Sequence, residues 1–256
     1  MSNTSDESPE SIIPVFEPQW PAPINVRAAI TLAAADATEF GAYNLAQHVG
    51  DDPVRVSANR AQLARQLDVP HWQWLEQVHG VEVLQANLSS SLLPVPQADA
   101  CTTRSTKLAC AVLTADCLPL LLCNQQGTQV AAVHAGWRGL AAGVLERACQ
   151  RFTAGEALMA YLGPAIGVGA FEVGSEVKAA FEQAMGPAAG RCFIVNPLRS
   201  THYFADLYAL ARLQLTGLGV TSVSGGNNCT FTDTRFYSYR RQPVTGRFAS
   251  VIWLAS

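Results

Sequence analysis

The chain has 256 residues, and 49% of them are hydrophobic, which is enough to fill the core of one large domain and excludes disorder along the whole length. Only 14% of the residues are charged and the formal net charge is -3, so a general electrostatic attraction to nucleic acid or to an anionic membrane is excluded. No apolar run approaches the roughly 18 residues of a membrane-spanning helix, and no basic segment precedes a hydrophobic one at the N-terminus, so we expect a cytoplasmic protein.

The predicted elements follow one another without a linker or a repeat. Residues 1–13 are mostly polar and predict a disordered tail, and residues 14–256 predict a single domain. Apolar residues spaced by three or four positions predict helices, and short apolar runs predict strands. In chain order these are a helix over 56–67, strands over 81–84, 109–113, 118–123 and 130–134, helices over 140–152, 177–185 and 207–215, and a strand over 250–254. This mixture predicts an α/β (α+β) sandwich, with helices covering a mixed β-sheet core.

Residues 114–139 predict a β-hairpin that carries two chemically reactive side chains. Two apolar runs flank a turn-like segment, Asn-Gln-Gln-Gly at 124–127. If the turn is centred between Gln125 and Gln126, Cys117 lies directly opposite His134, with Cβ atoms about 4.5 to 5.5 Å apart on one face. A bulge at Gly127 would shift this pairing by one residue. The thiolate and the imidazole could then share one ion or one proton.

His79 is a third candidate, because it lies just before an alternating strand pattern. Together, His79, Cys117 and His134 form a His/Cys/His set that suits Zn(II) or copper and leaves one coordination position for water or substrate. The long gaps between them resemble no zinc-finger spacing, which favours an open catalytic ion over a closed structural one. Taken singly, a cysteine in an apolar run is more often a core residue. We expect that of three others, Cys110, Cys123 and Cys149.

Seven segments resemble a known family. They are QVHG at 77–80, ADCLPLLL at 115–122, AAVHAGWRG at 131–139, LGPAIG at 162–167, FEVG at 171–174, CTFTD at 229–233 and FYSYRR at 236–241. In this order they resemble the YfiH family, which is also called the multicopper polyphenol oxidoreductase or laccase-domain family and the peptidoglycan editing factor family. The resemblance covers nearly everything from Trp20 to Leu254.

The resemblance implies a single-domain α/β sandwich in which His79, Cys117 and His134 bind one zinc ion, with copper as the alternative. It also implies a zinc-dependent purine nucleoside phosphorylase that acts on adenosine, inosine and methylthioadenosine and has adenosine deaminase activity in addition. The expected partners are a small nucleoside and phosphate, without nucleic acid or membrane. The expected state is a monomer or a small homo-oligomer.

Several residues near these motifs are candidates for substrate binding. A zinc-bound water has a pKa lowered toward about 7, so it can attack purine C6 in deamination. Phosphorolysis needs an anion site, and guanidinium groups bind phosphate bidentately, so Arg138, Arg240 and Arg241 are candidates. Trp137 could stack on a base or pack against the core.

Two further residues, and one departure from the family pattern, complete the candidate site. Asp116 could orient a ligand or transfer a proton, although strand alternation places it on the face opposite Cys117. Asn44 fits the family pattern and is assigned to substrate binding. Family members usually show Thr-Arg followed by Gly-Gly-Val-Ser, whereas residues 30–34 read Ile-Thr-Leu-Ala-Ala. The missing arginine would weaken phosphorolysis or alter substrate preference if it contacts substrate.

Two other enzyme classes stay open at this point. A copper oxidoreductase acting on phenols is disfavoured, because a multicopper oxidase needs many histidine ligands and the chain has five histidines. A cysteine hydrolase acting on peptidoglycan precursors would use Cys117 as nucleophile and His134 as base. A noncatalytic zinc-binding module is weaker still, because three protein ligands leave the ion open.

Overall fold

Five strands among the described residues are buried along their whole length, so both of their faces need cover from other elements. They are Ala100–Thr103, Leu108–Thr114, Leu118–Asn124, Val130–Ala135 and Phe248–Leu254. The computed structural model describes residues 12–89 and 94–255. In it these strands belong to two large sheets, and each sheet is covered by the other sheet on one face and by helices on the opposite face.

The described residues form fourteen strands and five α-helices. The strands are β1 (Val15–Phe16), β2 (Val26–Thr31), β3 (His71–Gln73), β4 (Val83–Ala86), β5 (Ala100–Thr103), β6 (Leu108–Thr114), β7 (Leu118–Asn124), β8 (Val130–Ala135), β9 (Leu158–Leu162), β10 (Glu172–Gly174), β11 (Phe193–Val195), β12 (His202–Ala205), β13 (Ser222–Gly225) and β14 (Phe248–Leu254). The helices are α1 (Pro53–Leu67), α2 (Trp137–Ala141), α3 (Val144–Cys149), α4 (Ser175–Met185) and α5 (Leu207–Gly217).

The strands form two large sheets and one small one. The first large sheet has the order β1-β2-β14-β6-β3, the second has the order β13-β9-β7-β8-β5-β4, and the small one has the order β10-β12-β11. Both large sheets mix parallel and antiparallel pairs. Val112 and Ile252 of the first sheet pack against Leu121 and Ala132 of the second, so the central core lies between the sheets.

Helices close the two outer faces. Leu63 of α1 packs against Ala111 and Val251 of the first sheet. Leu145 of α3 and Leu210 of α5 belong to the apolar cluster on the outer face of the second sheet. The predicted α/β sandwich of mixed sheets covered by helices, in a single domain, is therefore confirmed.

The predicted strands and helices lie close to the observed ones, with one correction. The helical pattern over 140–152 is interrupted, because Gly143 has a φ of 93° and separates α2 from α3. Short strands with no strong periodicity, such as β2 and β9, were not predicted. The longest α-helix described, α1, has 15 residues, and no described helix is long and apolar enough to cross a membrane.

The predicted hairpin exists, but its register was wrong. His134 pairs with Pro119 and not with Cys117, which lies just before β7. The turn is longer than we expected: the Asn124 N–H donates to the Gln129 carbonyl at 3.2 Å, and Gly127 takes a φ of 67°. The pairing moves by two residues, and a shift of two preserves the face of the sheet to which each side chain points.

The N-terminal boundary also differs from the expectation. Residues 1–11 of the expected tail lie outside the described residues. Ile13, which we placed in that tail, is fully buried, and its N–H and carbonyl bond to the side-chain amide of Gln66 in α1 at 3.0 and 2.8 Å. Ile13 therefore belongs to the folded part of the chain.

Candidate metal centre

Three side chains from distant segments converge at one end of the second sheet. His134 lies in β8, Cys117 directly precedes β7, and His79 lies in the turn before β4. Their ligand atoms all lie within 4.8 Å of one another, and Cys117 Sγ lies 3.7 Å from His79 Nε2. The structure therefore brings together the three residues that the sequence singled out.

Asp99, which the sequence reasoning missed, orients two of these ligands. Its side chain is fully buried, and its Oδ1 lies 2.8 Å from His134 Nδ1. The same carboxylate accepts the backbone N–H groups of His79 at 2.9 Å and Gly80 at 2.6 Å. These bonds hold His79 at a φ of 60° and leave His134 Nε2 for the centre. Such carboxylates fix the tautomer and the orientation of histidine ligands.

Gly136 leaves room for the three donors. A Cβ atom there would lie 2.7 Å from His79 Cδ2 and 3.1 Å from Cys117 Sγ. Gly139, one helical turn later, also packs closely, because a Cβ atom there would lie 2.7 Å from the Gly80 carbonyl oxygen. The two glycines bring the start of α2 directly against the triad.

The electrostatics of the centre favour a thiolate. Burial raises the pKa of the Cys117 thiol, but hydrogen bonding to His134, the charge of that imidazole and the proximity of His79 outweigh burial and bring the pKa to about 6. Burial lowers the pKa of His134, whereas its bonds to Asp99 and Cys117 raise it to about 9. A proton shared in this way would be displaced by a cation, since metal ligands bind in their deprotonated forms.

The donor set fits a divalent or soft monovalent ion. One thiolate and two imidazoles suit zinc or copper. Tetrahedral zinc holds sulfur and nitrogen ligands roughly 3.5 Å apart, which is close to the 3.7 Å between Cys117 Sγ and His79 Nε2. Within residues 12–89 and 94–255, this is the one group of three or more His, Cys, Asp or Glu side chains that could hold a metal.

A cavity of about 370 Å³ opens beside the triad. Its apolar and aromatic lining comes from Leu113, Trp137, Ile166, Phe171 and Tyr239. Its polar lining, besides the triad, includes His48, Thr114, Asp116, Arg138, Arg240 and Arg247. The His79, Cys117 and His134 triad is therefore one wall of a mixed aromatic and cationic cavity.

Three of the predicted substrate-binding residues line this cavity. The Arg138 guanidinium lies 4.4 Å from the centroid of the Trp137 ring, so the two form a stacked pair. Arg240 donates to the carbonyls of Ala170 at 3.0 Å and Glu172 at 3.2 Å, which occupies both of its terminal nitrogens.

Asp116 also lines the cavity, which corrects the expectation that it faces away. It lies outside β7 with a φ of 92°, so strand alternation does not apply to it. Its Oδ1 accepts the Thr230 hydroxyl and its Oδ2 accepts the Arg240 N–H, both at 2.6 Å. Both carboxylate oxygens are therefore engaged in fixing the segment that carries Arg240.

Two predicted substrate-binding residues lie outside the cavity lining. Arg241 donates to the carbonyls of Thr230, Phe231 and Phe236, and these hydrogen bonds hold the loop that contains the three residues. Asn44 is fully buried, and its amide bonds to the backbone of Ala46 and Arg247 and to the side chain of Asp51. Their observed contacts are structural.

The sequence reasoning also missed two cavity residues. Arg247 and Thr114 were not singled out, and they line the cavity together with His48. Partial burial and then the charges of Arg247 and Arg60 lower the pKa of His48. Proximity to the resembling motif at 236–241 was the one available signal for Arg247.

Comparison with known proteins supports the resemblance. Residues 31–255 match the family model described as multi-copper polyphenol oxidoreductase laccase. A purine nucleoside phosphorylase of Pseudomonas aeruginosa is 49% identical over 241 residues, which span 93% of this chain and 97% of that protein. Purine nucleoside phosphorylase YfiH of Escherichia coli is 46% identical over 242 residues, with the shares 93% and 97%. A crystal structure of a Neisseria meningitidis protein has a TM-score of 0.88 at 44% identity and spans 94% of this chain and 99% of that one. The chain therefore belongs to the YfiH family, whose family model carries the laccase description.

Proposed function

We propose that this protein is a zinc-dependent purine nucleoside phosphorylase acting on adenosine, inosine and methylthioadenosine. The observation that supports it most directly is the His/Cys/His donor set on the wall of a cavity of about 370 Å³ that combines aromatic and cationic side chains. Cavities of roughly 300 to 1,000 Å³ bury most of the surface of a small ligand. The relatives from Pseudomonas aeruginosa and Escherichia coli carry the name purine nucleoside phosphorylase.

The proposed reaction exchanges a purine for phosphate at the sugar. An oxygen lone pair of phosphate forms a bond to ribose C1′ while the bond from C1′ to purine N9 breaks. The electron pair of the broken bond leaves with the purine, which takes up one proton, and the products are the free base and the sugar 1-phosphate, which is ribose 1-phosphate for adenosine and inosine. Positive charge develops on the ribose as the bond breaks, so the enzyme must hold an anion close to C1′.

The residues around the cavity have separate roles in the proposed reaction. The stacked pair of Trp137 and Arg138 offers a flat aromatic and cationic surface on which a purine could lie. Asp116 fixes the backbone of Arg240 and so positions the wall that carries this residue. Asp99 acts through His134 and the turn at His79 and is a positioning residue.

His79, Cys117 and His134 would hold the metal. When bound, zinc would supply Lewis-acid polarisation of substrate atoms. We include adenosine deamination as a second activity of the same cavity, in which water adds at purine C6 and ammonia leaves to give inosine. We favour zinc over copper because a multicopper oxidase needs many histidine ligands. The described residues contain one His/Cys/His set, and the chain has five histidines in total.

The proposal is tested with inosine. The zinc-loaded full-length protein is incubated with inosine with and without inorganic phosphate, and hypoxanthine and ribose 1-phosphate are quantified. We expect phosphate-dependent release of hypoxanthine that falls about tenfold or more on chelation and returns with zinc. Copper added back in place of zinc is the control. Absence of base release from all three nucleosides, or full activity after verified removal of metal, would contradict the proposal.

A second candidate function is a cysteine hydrolase acting on peptidoglycan precursors. The observation that favours it is the thiol of Cys117, whose pKa is lowered to about 6 beside two imidazoles. Chelation separates the two candidates, because a thiol hydrolase keeps its activity without metal whereas the zinc enzyme loses it. Alkylation of the thiol blocks both and serves as the positive control.

We also propose that the enzyme works in the cytoplasm as a monomer or small homo-oligomer. All seven cysteines are free, which suits a reducing compartment. Fractionation of cells and the mass of the purified protein in solution would test these two points.

A further inference from the structure

Three polar side chains of the cavity lining, Thr114, Arg247 and His48, lie outside the seven sequence motifs. Thr114 ends β6, and its neighbour across the sheet is Phe248 of β14. Arg247 directly precedes Phe248, so Thr114 and Arg247 lie at the same end of two paired strands. His48 lines the same cavity and lies close enough to Arg247 for that charge to affect its pKa.

Arg247 is a half-buried cation without a carboxylate partner. Its Nη1 donates to the carbonyls of Thr245 at 2.8 Å and Gly246 at 2.9 Å, and its backbone N–H donates to Asn44. Among the residues that the structure describes, Nε and Nη2 have no hydrogen-bond acceptor, and no acidic side chain pairs with the guanidinium. Cations that are removed from water are normally paired, so this one calls for an anion.

Thr114 supplies a second, independent observation. The residue is 1% exposed, and its hydroxyl has no hydrogen-bond partner in the described part of the chain. A buried hydroxyl without a partner is costly, so such a group in a cavity wall is typical of a position that a ligand atom completes.

The other two arginines of the cavity lining, Arg138 and Arg240, are exposed. Both terminal nitrogens of Arg240 donate to carbonyls, whereas Arg138 stacks on Trp137 and keeps its N–H donors. The one carboxylate among the lining residues, Asp116, has both of its oxygens engaged by Thr230 and Arg240. Arg247 lies 5.9 Å from the centroid of the Tyr239 ring and is the half-buried arginine of the lining with donors left for an incoming anion.

We propose that Arg247, Thr114 and His48 form the subsite for the phosphate co-substrate. This inference rests on the proposed phosphorolysis and names the residues that hold its tetrahedral oxyanion. A guanidinium provides two parallel N–H donors to such an anion, a hydroxyl provides one more, and an imidazole N–H can provide a fourth. The residues first considered for phosphate, Arg138 and Arg240, then act on the nucleoside side of the cavity.

Two variants test the subsite in the zinc-loaded full-length protein. R247Q removes the charge, and T114V removes the hydroxyl while keeping the shape. T114V should keep its thermal stability, because the hydroxyl it deletes is unpaired. The control is R27Q, since Arg27 is an exposed residue paired with Glu17 and lies outside the cavity lining. KM for phosphate and KM for inosine are measured separately, with zinc content as a check on the metal centre.

We expect R247Q to raise KM for phosphate about tenfold or more and T114V to raise it a few-fold, because bonds to a charged group are the stronger ones. KM for inosine should change less than about twofold in both, as in R27Q. Phosphate KM unchanged in R247Q, or an equal rise in both KM values, would overturn the subsite. If the protein releases no base, the proposed function fails, and calorimetric titration of wild type and R247Q with inorganic phosphate alone still decides whether the subsite exists. Equal binding by the two proteins, or none by either, rejects it.

Discussion

The cavity has two walls that are built in different ways. The metal wall consists of His79, Cys117 and His134, and its central ligand, His134, lies in a strand, is 3% exposed and is held by a buried aspartate. The substrate wall consists of Trp137, Arg138, Tyr239 and Arg240, and Tyr239 is 55% exposed. The comparison teaches that the buried ligand His134 is fixed by the sheet before anything binds, whereas Arg138 and Tyr239, which are proposed to meet the nucleoside, are exposed side chains that can adjust to it.

The largest expected effect comes from breaking the metal wall itself. C117A removes the one sulfur donor, and a site with two imidazoles should lose bound zinc and at least about a thousandfold of turnover. Metal content after gel filtration and hypoxanthine release from inosine measure the two effects. C149A is the matched control, because Cys149 lies at the end of α3 and does not line the cavity. A C117A protein that still turns over inosine would remove the metal wall from the mechanism.

A smaller effect is expected at Asp99, the hydrogen-bond partner of His134 in the metal wall. D99N keeps the size of the side chain but replaces one carboxylate oxygen by an NH₂ group, which cannot accept the N–H groups that the oxygen accepts from the backbone or from His134. Zinc affinity should therefore fall about 10- to 100-fold. Competition with a chromophoric chelator measures this affinity. D206N is the control, because Asp206 is the partly buried N-cap of α5, its oxygen accepts the Ala209 N–H, and it lies outside the cavity lining. Equal zinc affinity in D99N and wild type would mean that the metal wall does not need this support.

The smallest effect is expected on the substrate wall. T230V removes the hydroxyl that donates to Asp116 at 2.6 Å, which loosens the segment that carries Arg240. Zinc content should stay unchanged, whereas KM for inosine should rise roughly three- to tenfold. T102V is the control, since Thr102 is an equally buried hydroxyl whose bond to the Val130 carbonyl lies away from the cavity. A loss of zinc in T230V would show that the two walls are not independent.

The metal wall could be predicted from the sequence because strong local patterns carry it. Two apolar runs and a turn indicated the hairpin, and Cys117 and His134 lie together at its open end although the predicted register was wrong. The register could not be fixed, because the turn residues around Gly127 allow more than one loop length. The family resemblance was carried by the same motifs and is confirmed.

The substrate wall and the supporting groups could not be predicted in the same way. Asp99 lies between Ala98 and Ala100 in a segment where no strand was predicted, and its burial follows only from the packing of β4, β5 and β8. Arg241 has the composition of a surface or phosphate-binding residue, and only the loop geometry reveals that carbonyls occupy its guanidinium. The position where family members usually carry an arginine holds Leu32, which packs against the core between the sheets.

The bare backbone at Gly136 also limits how this protein can change over evolutionary time. Any side chain there would push against His79 and Cys117, so we expect position 136 to drift only where the proposed metal centre is no longer needed. A descendant with alanine or serine at this position should therefore bind metal more weakly, even with all three candidate ligands still present.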